Sequence, residues 1–257
     1  MQMNFKTQAN LYTSGDIKRE AKAQLLGKWG PAIIIAIIPG LFSILFYRTS
    51  LDETLLSVII ELIRDFLVLG VSFSFLNLLR NREYVLEPLQ EILSPFQAKY
   101  FFNLLKLKLW KNLFIFLWSL LFLIPGIVKY YSYSQAELIY KDTVDRTGKQ
   151  PDARACIEES QERMNGHKAD LFILEFSFIG WYFLNALTFG ILSLWLIPYV
   201  EMSRMIFYEN LTKGYYLNRK ITRRNNMEED EEAFNPSSNE YEEIGKDPND
   251  FRDFEDF

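Results

Sequence analysis

The chain has 257 residues, a net charge of -5 and a mean hydropathy of -0.04, values that by themselves suit a soluble domain. Its single cysteine, Cys156, and single histidine, His167, exclude an intrachain disulfide, a multi-cysteine metal site and a zinc site built on a histidine pair. The average hides two unlike parts: from Asn225 onward, 13 acidic residues stand against Lys246 and Arg252, so the preceding residues are net basic.

The first predicted membrane helix covers residues 30–47 and has no charged side chain. It is slightly shorter than the roughly 20 residues that cross a bilayer core, but Trp29 and Tyr47 flank it as interfacial anchors do. A cleaved signal peptide is the alternative, which the long preceding segment and the lack of an A-x-A pattern disfavour. We expect residues 1–29 to be a cytoplasmic segment with an amphipathic helix over Asp16–Leu26.

The second predicted membrane helix, residues 55–79, contains three charged side chains, Glu61, Arg64 and Asp65. They share one helical face, so Glu61 and Arg64 can pair and leave one negative charge. Charged groups at membrane depth are costly and mark functional sites by default. Two interpretations stay open: a group on a cation or proton path, or a helix end whose charges lie in water at the interface.

The distribution of Lys and Arg decides the number of crossings. Hydropathy predicts four, but 24 of the 28 basic residues fall in four groups: five before Gly30, six in 80–111, six in 141–168 and seven from Lys213 on. With four crossings the third group would face outward, whereas six crossings return every group to the cytoplasmic side. Pro125–Gly126 and Thr188–Gly190 provide the two additional turns.

The sequence therefore predicts an all-α bundle of about six membrane helices, arranged as three hairpins with both termini inside. The fourth helix is the weakest because it is short and polar, so it is shielded by its neighbours or re-entrant. The predicted spans are 30–47, 55–79, 104–124, 127–141, 168–187 and 190–210.

Outside the membrane domain, residues 30–211, we predict one loop helix and one tail. The loop helix runs from Pro151 to Met164, with Asp152 as its N-cap and Asn165–Gly166 as its stop. The tail, residues 212–257, is cytoplasmic, acidic and mostly disordered. Its FRDFEDF end is either a docking peptide for a protein partner or solvated, and the oligomeric state stays open, homo-oligomers included.

The last predicted hairpin also contains charges, Glu175, Glu201 and Arg204. Glu201 and Arg204 can pair at i, i+3, and antiparallel helices would bring Glu175 to the depth of Arg204, so we predict that contact. A pair that only fixes helix register is the alternative. His167 and Lys168, at a helix start, are a candidate contact with lipid phosphate, the alternative being ordinary interfacial residues.

Three stretches together resemble an uncharacterised family of bacterial integral membrane proteins, catalogued as domain of unknown function nine-seven-five. They are AKAQLLGKWGPAI (21–33), FIFLWSLLFLIPGIVKYYSYSQAELI (114–139) and MNGHKADLFILEFSFIGWYFLNALTFGILSLWLIPYVEMSRMIFYENL (164–211). The resemblance covers about residues 15–211 and implies a multi-pass protein of the bacterial plasma membrane. It implies no activity, so no catalytic residue is carried over.

Catalytic signatures are missing: the sequence has no G-x-x-x-x-G-K-[ST], H-E-x-x-H, G-x-S-x-G or C-x-x-C. We therefore expect no catalytic residue, cofactor or bound metal, no nucleic acid, and anionic lipid head groups as partners of the basic loops. A non-enzymatic scaffold or envelope-associated protein ranks first. A small transporter or lipid-handling protein ranks second and predicts a cavity lined by Glu61, Arg64, Asp65, Glu175 and Arg204. A lipid-modifying enzyme ranks last.

Overall fold

The computed structural model describes residues 13–46, 55–81, 84 and 87–234, and every regular element in these ranges is helical, as the sequence predicted. The helices are α1 (Ser14–Leu25), α2 (Trp29–Leu45), α3 (Leu55–Arg80), α4 (Pro88–Ile92), α5 (Phe101–Leu121), α6 (Leu123–Tyr133), α7 (Ala136–Thr147), α8 (Ala153–Arg163), α9 (Lys168–Phe176), α10 (Ile179–Leu187) and α11 (Ser193–Phe234), with a short 3-10 turn at Ser94–Phe96.

The chain divides into two compact units, Met1–Thr212 and Lys213–Phe257. In the second unit, α11 continues to Phe234, whereas the sequence predicted a mostly disordered tail over residues 212–257. The predictions for residues 1–12, for Tyr47 and for residues 235–257 lie outside the described residues.

The two predicted amphipathic helices are α1 and α8, and each has an N-cap. The Thr13 hydroxyl accepts a hydrogen bond from the Asp16 amide and the Asp16 carboxylate accepts one from the Thr13 amide, which is a complete capping box. The Asp152 carboxylate accepts a hydrogen bond from the Arg154 amide, which confirms the predicted cap of α8.

The core of the first unit surrounds the second half of α3. There Phe73, Phe75, Leu76 and Leu78 are at most 1% exposed, and the Cα of Gly70 lies close against the backbone of Ile92 in α4. A Cβ at this glycine would lie 2.8 Å from the Cα of Ile92, so only glycine permits the contact without a shift.

Polar contacts join α7 to α3, α5 and α11. Arg80 donates to Asp142 at 2.7 and 2.9 Å and to Glu209 at 3.0 Å. On α7, Asp145 accepts hydrogen bonds from Tyr100 and Lys141. Burial by itself would raise the pKa of the Asp145 carboxyl, but the bonds from Lys141 and Tyr100 outweigh it and hold that pKa below its usual value.

The second predicted hairpin is formed by α5 and α6, but it turns at Phe122 rather than at Pro125–Gly126. The prediction was wrong by three residues because Pro125 lies in the first turn of α6, where its missing N–H costs no helical hydrogen bond. Gly126 instead allows close contact between the arms, since a Cβ there would lie 3.0 Å from the Cα of Ser119.

The third predicted hairpin turns where expected, at Phe189–Gly190, two residues with positive φ (51° and 85°). Two breaks were not predicted. The fourth predicted helix divides at Ser134–Gln135 into α6 and α7, and the fifth divides at Ser177–Phe178 into α9 and α10.

Large apolar side chains are exposed along the hairpin arms and their turns. Phe189 is 97% exposed, and Leu120, Phe122, Ile124, Phe183 and Ile191 are each more than 60% exposed. By length and composition, one helix in the described ranges could cross a membrane, Lys168–Leu187; a second would be Ser14–Leu25 joined to Trp29–Phe42 across a 107° bend. Six crossings are therefore not established by helix length and composition.

Candidate functional site

A cavity of about 220 Å³ opens between α3, α5, α6, α7, α9 and α11. Charged side chains from five of these helices line it: Asp65, Lys108, Lys111, Glu137, Glu175, Glu201 and Arg204. Four carboxylates and three cations make its lining net negative by one charge. The remaining wall is partly apolar, with Val68, Leu69, Ile115, Leu138, Leu171 and Met205.

Arg204 is at the centre of one charged group, which we call the arginine triad: Arg204, Glu175 and Glu201. Its guanidinium donates to the same Glu175 oxygen at 2.8 and 3.1 Å and to Glu201 at 2.9 Å. The Glu201 contact follows from i, i+3 spacing on α11, and the Glu175 contact from the antiparallel arms of the third hairpin. Both agree with the contacts predicted from the sequence.

The second oxygen of each triad carboxylate has its own donor. The Ser72 hydroxyl on α3 donates to Glu201 at 3.1 Å, and the Tyr131 hydroxyl on α6 donates to Glu175 at 2.9 Å. The triad is therefore fixed by side chains from four helices, α3, α6, α9 and α11. Such a supported arrangement holds the carboxylate oxygens in place.

Two further ion pairs line the cavity. The Lys108 ammonium lies 3.0 Å from Asp65, and Lys111 pairs with Glu137. Sequence reasoning counted both lysines in the cytoplasmic basic group 80–111, although they also fall within the predicted span 104–124, and it treated Glu137 only as a sign of a polar helix. The spacing of Lys108 and Lys111, three residues apart on one face of α5, was the signal that would have identified them.

The break between α6 and α7 also borders the cavity, through Ser134 and Gln135. On α8, the Ser160 hydroxyl accepts from the Gln135 amide at 3.3 Å and donates to the Ser132 carbonyl at 2.7 Å. It thus satisfies backbone groups that an interrupted helix leaves open. This break was missed because no proline or glycine marks it.

The other predicted polar residues lie away from the cavity lining. Glu61 and Arg64 pair with each other at 2.5 Å, and their side chains are 43% and 39% exposed. Of the five residues expected in a cavity, Asp65, Glu175 and Arg204 line it, whereas Glu61 and Arg64 do not, although Arg64 lies 3.4 Å from Asp65.

His167 and Lys168 begin α9. The Nδ1 atom of His167 lies 3.0 Å from Asp170, an i, i+3 contact at the surface. Across the described ranges, no group of three or more His, Cys, Asp or Glu residues has an arrangement that would hold a metal ion.

The family model described as Protein of unknown function (DUF975) matches residues 3–134 and 123–214. Comparison with curated proteins and with solved structures gives no match.

Proposed function

We propose that this chain, which belongs to the family Protein of unknown function (DUF975), is a non-enzymatic integral protein of the bacterial plasma membrane that takes up a small polar solute in its charged cavity. The observation that carries the proposal is the cavity itself: seven charged side chains meet in one space between arms that expose apolar side chains. Charged groups enclosed by apolar helices usually line a substrate or ion pathway.

The membrane location rests on the hairpin arms. Exposed side chains such as Phe183 and Phe189 would be costly in water over so large a surface, and lipid removes that cost. We propose six membrane helices in three hairpins, which keep both termini and every basic loop on the cytoplasmic side.

The depth of the cavity agrees with transport. Glu201 lies about eleven residues after the turn at Gly190, or about 16 Å at 1.5 Å per residue, and Asp65 lies about 15 Å from the start of α3 at Leu55. Half of a core of about 30 Å is about 15 Å, so both carboxylates would lie near the membrane midplane. Transporters bind their substrates at this depth, often beside interrupted helices such as the pair α6 and α7.

The position of α8 supports access from the cytoplasm. Its Ser160 touches the break beside the cavity, while Arg154, Glu158 and Glu162 on its outer face are exposed. Charged side chains of this kind require water, so water would reach the cavity level along α8.

A scaffold is the second candidate, and one observation favours it. Each charged side chain of the cavity lining already has an ion-pair partner, as expected where charges only fix the packing of helices. In that role the acidic tail would recruit a protein partner, and the basic loops would bind anionic lipids.

Currents from proteoliposomes on a solid-supported membrane would separate the two functions. We expect a jump in concentration of at least one small solute, drawn from ammonium, methylammonium, ethanolamine, sodium, acetate and glycine, to produce a current. Glu201→Gln should reduce that current, and Glu158→Gln, on the outer face of α8, should leave it unchanged. No current with any solute, from a folded protein, would refute transport and leave the scaffold.

Cysteine labelling in a Cys156→Ser background tests which side of the membrane each loop faces. A membrane-impermeant maleimide applied from outside should leave Phe122→Cys unlabelled if the second hairpin re-enters. Lys149→Cys should react only from the cytoplasmic side. Labelling of position 122 from outside would show that the second hairpin crosses, and labelling of position 149 from outside would overturn the six-helix arrangement.

A further inference from the structure

We infer that the solute of the charged cavity is a small organic cation with one ammonium group, held against the carboxylates of the arginine triad. The inference rests on the proposed function and names the chemical class of its solute. The net charge of the arginine triad, its oxygen acceptors and the apolar part of the cavity lining each favour an organic cation.

The distribution of ion pairs places the excess negative charge on the triad. Lys111 pairs with Glu137, and Asp65 pairs with both Lys108 and Arg64, whose other partner is Glu61, so both of these groups are neutral. Arg204 is shared between Glu175 and Glu201, so the triad has one carboxylate more than it has cations. A monovalent cation completes its charge, whereas an anion would add a third negative group beside two carboxylates.

The chemistry of the triad suits an ammonium group. Three N–H donors on such a group require acceptors, and the triad presents carboxylate oxygens with the Ser72 hydroxyl beside them in the cavity lining. Hydrogen bonds between ionised partners are roughly twice as strong as neutral ones.

The rest of the wall suits a short apolar body. Leu69, Leu171 and Met205 face the same space as the triad, and Tyr130 adds an aromatic side chain. A cavity of about 220 Å³ is smaller than the usual ligand pocket of about 300–1,000 Å³, so it suits a ligand smaller than a typical drug. In the described ranges, the carboxylates form no group of three suited to a metal ion, which disfavours a divalent cation.

An ammonium group of this size has two sources, a free amine from the cytoplasm and the ethanolamine head group of a membrane lipid. The two share the chemistry that the triad recognises but differ in how they arrive. The experiment therefore supplies them separately.

The test measures binding to the full chain in nanodiscs made only of phosphatidylglycerol, with ethylammonium as the titrant and calorimetry as the readout. We expect ethylammonium to bind, acetate not to bind, and Glu201→Gln to weaken ethylammonium binding at least tenfold. Glu201→Asp keeps the charge and should recover most of the affinity. Glu158→Gln is the matched control on an exposed helix face. A thermal unfolding scan of each variant confirms that it is folded.

A second set of nanodiscs contains phosphatidylethanolamine. If the lipid head group is the natural occupant, ethylammonium should bind more weakly in these discs, and the difference should vanish in Glu201→Gln. If a free amine is the occupant, the two lipid compositions should give the same affinity.

Either of two results would overturn the inference: binding of acetate with no binding of ethylammonium, or ethylammonium binding that is equal in the wild type, Glu201→Gln and Glu201→Asp. Currents carried by acetate or glycine but not by amines would refute the ammonium class and leave transport standing. Amine binding without any current would refute transport and leave the binding site.

Discussion

Replacing Arg204 by Gln tests how much the arginine triad contributes to stability. The substitution removes three N–H donors to carboxylate oxygens, two to Glu175 and one to Glu201, at 2.8 to 3.1 Å. Hydrogen bonds to charged groups contribute about 1.5–3 kcal/mol each when well shielded. The Arg204 side chain is 38% exposed, so solvent screening lowers this to about 1 kcal/mol per bond.

We therefore expect Arg204→Gln to lower the free energy of unfolding by about 2–3 kcal/mol. For a domain of this size that corresponds to a fall of about 5–10 °C in Tm. The five tryptophans provide the signal for thermal unfolding by intrinsic fluorescence in a mild detergent. Arg19→Gln is the matched control, because Arg19 pairs with Asp16 at i, i+3 but is 80% exposed and should shift Tm by no more than about 2 °C.

The reasoning is refuted if Arg204→Gln unfolds within about 2 °C of the wild type, since the triad would then be held by solvent and not by the guanidinium. A triple variant, with Glu175→Gln and Glu201→Gln added to Arg204→Gln, tests whether unpaired carboxylate charge causes the loss of stability. Because it has no uncompensated carboxylate, it should regain part of the lost stability. If it is less stable than Arg204→Gln, unpaired charge is not what destabilises the single variant.

Three further predictions follow from contacts in the first unit. Gly70→Ala forces a Cβ against the backbone of Ile92 and should lower the free energy of unfolding by about 1–3 kcal/mol. The control Gly180→Ala adds a Cβ that meets nothing within 4 Å, so it should be neutral or slightly stabilising. Equal Tm values for the two variants would contradict the close contact. Burial, with nearby carboxylates, raises the pKa of the Cys156 thiol to about 12. N-ethylmaleimide at pH 7.4 should therefore label this thiol only after unfolding in detergent. Rapid labelling of the native protein would show that α8 is not packed as described. Because the folded-state pKa of Asp145 lies below its usual 3.8, the contribution of this carboxylate to stability is present above pH 4 and is lost as the pH falls further. The Tm difference between the wild type and Asp145→Asn should therefore shrink between pH 5 and pH 3. A constant difference would show that the Asp145 carboxylate is not stabilised by its hydrogen bonds.

The helical class was accessible from the sequence because it depends on local information. Apolar runs, the glycine turn at Phe189–Gly190 and the cap at Asp152 are each set by neighbouring residues. The pairing of Glu201 with Arg204 needed only the period of a helix. Even so, local signals placed one turn at Pro125–Gly126, because a proline within the first turn of a helix looks the same in sequence as one that ends a helix.

The cavity was decided by tertiary structure. Its ion pairs join residues that are far apart in the chain, such as Lys108 with Asp65 and Lys111 with Glu137, and these contacts depend on how each helix is rotated about its axis. Packing also decides that Asp65 lines the cavity whereas Glu61 and Arg64 do not, although Arg64 lies 3.4 Å from Asp65. Sequence periodicity specifies which residues lie on one side of a helix, but only the packing of one helix against another determines what that side meets.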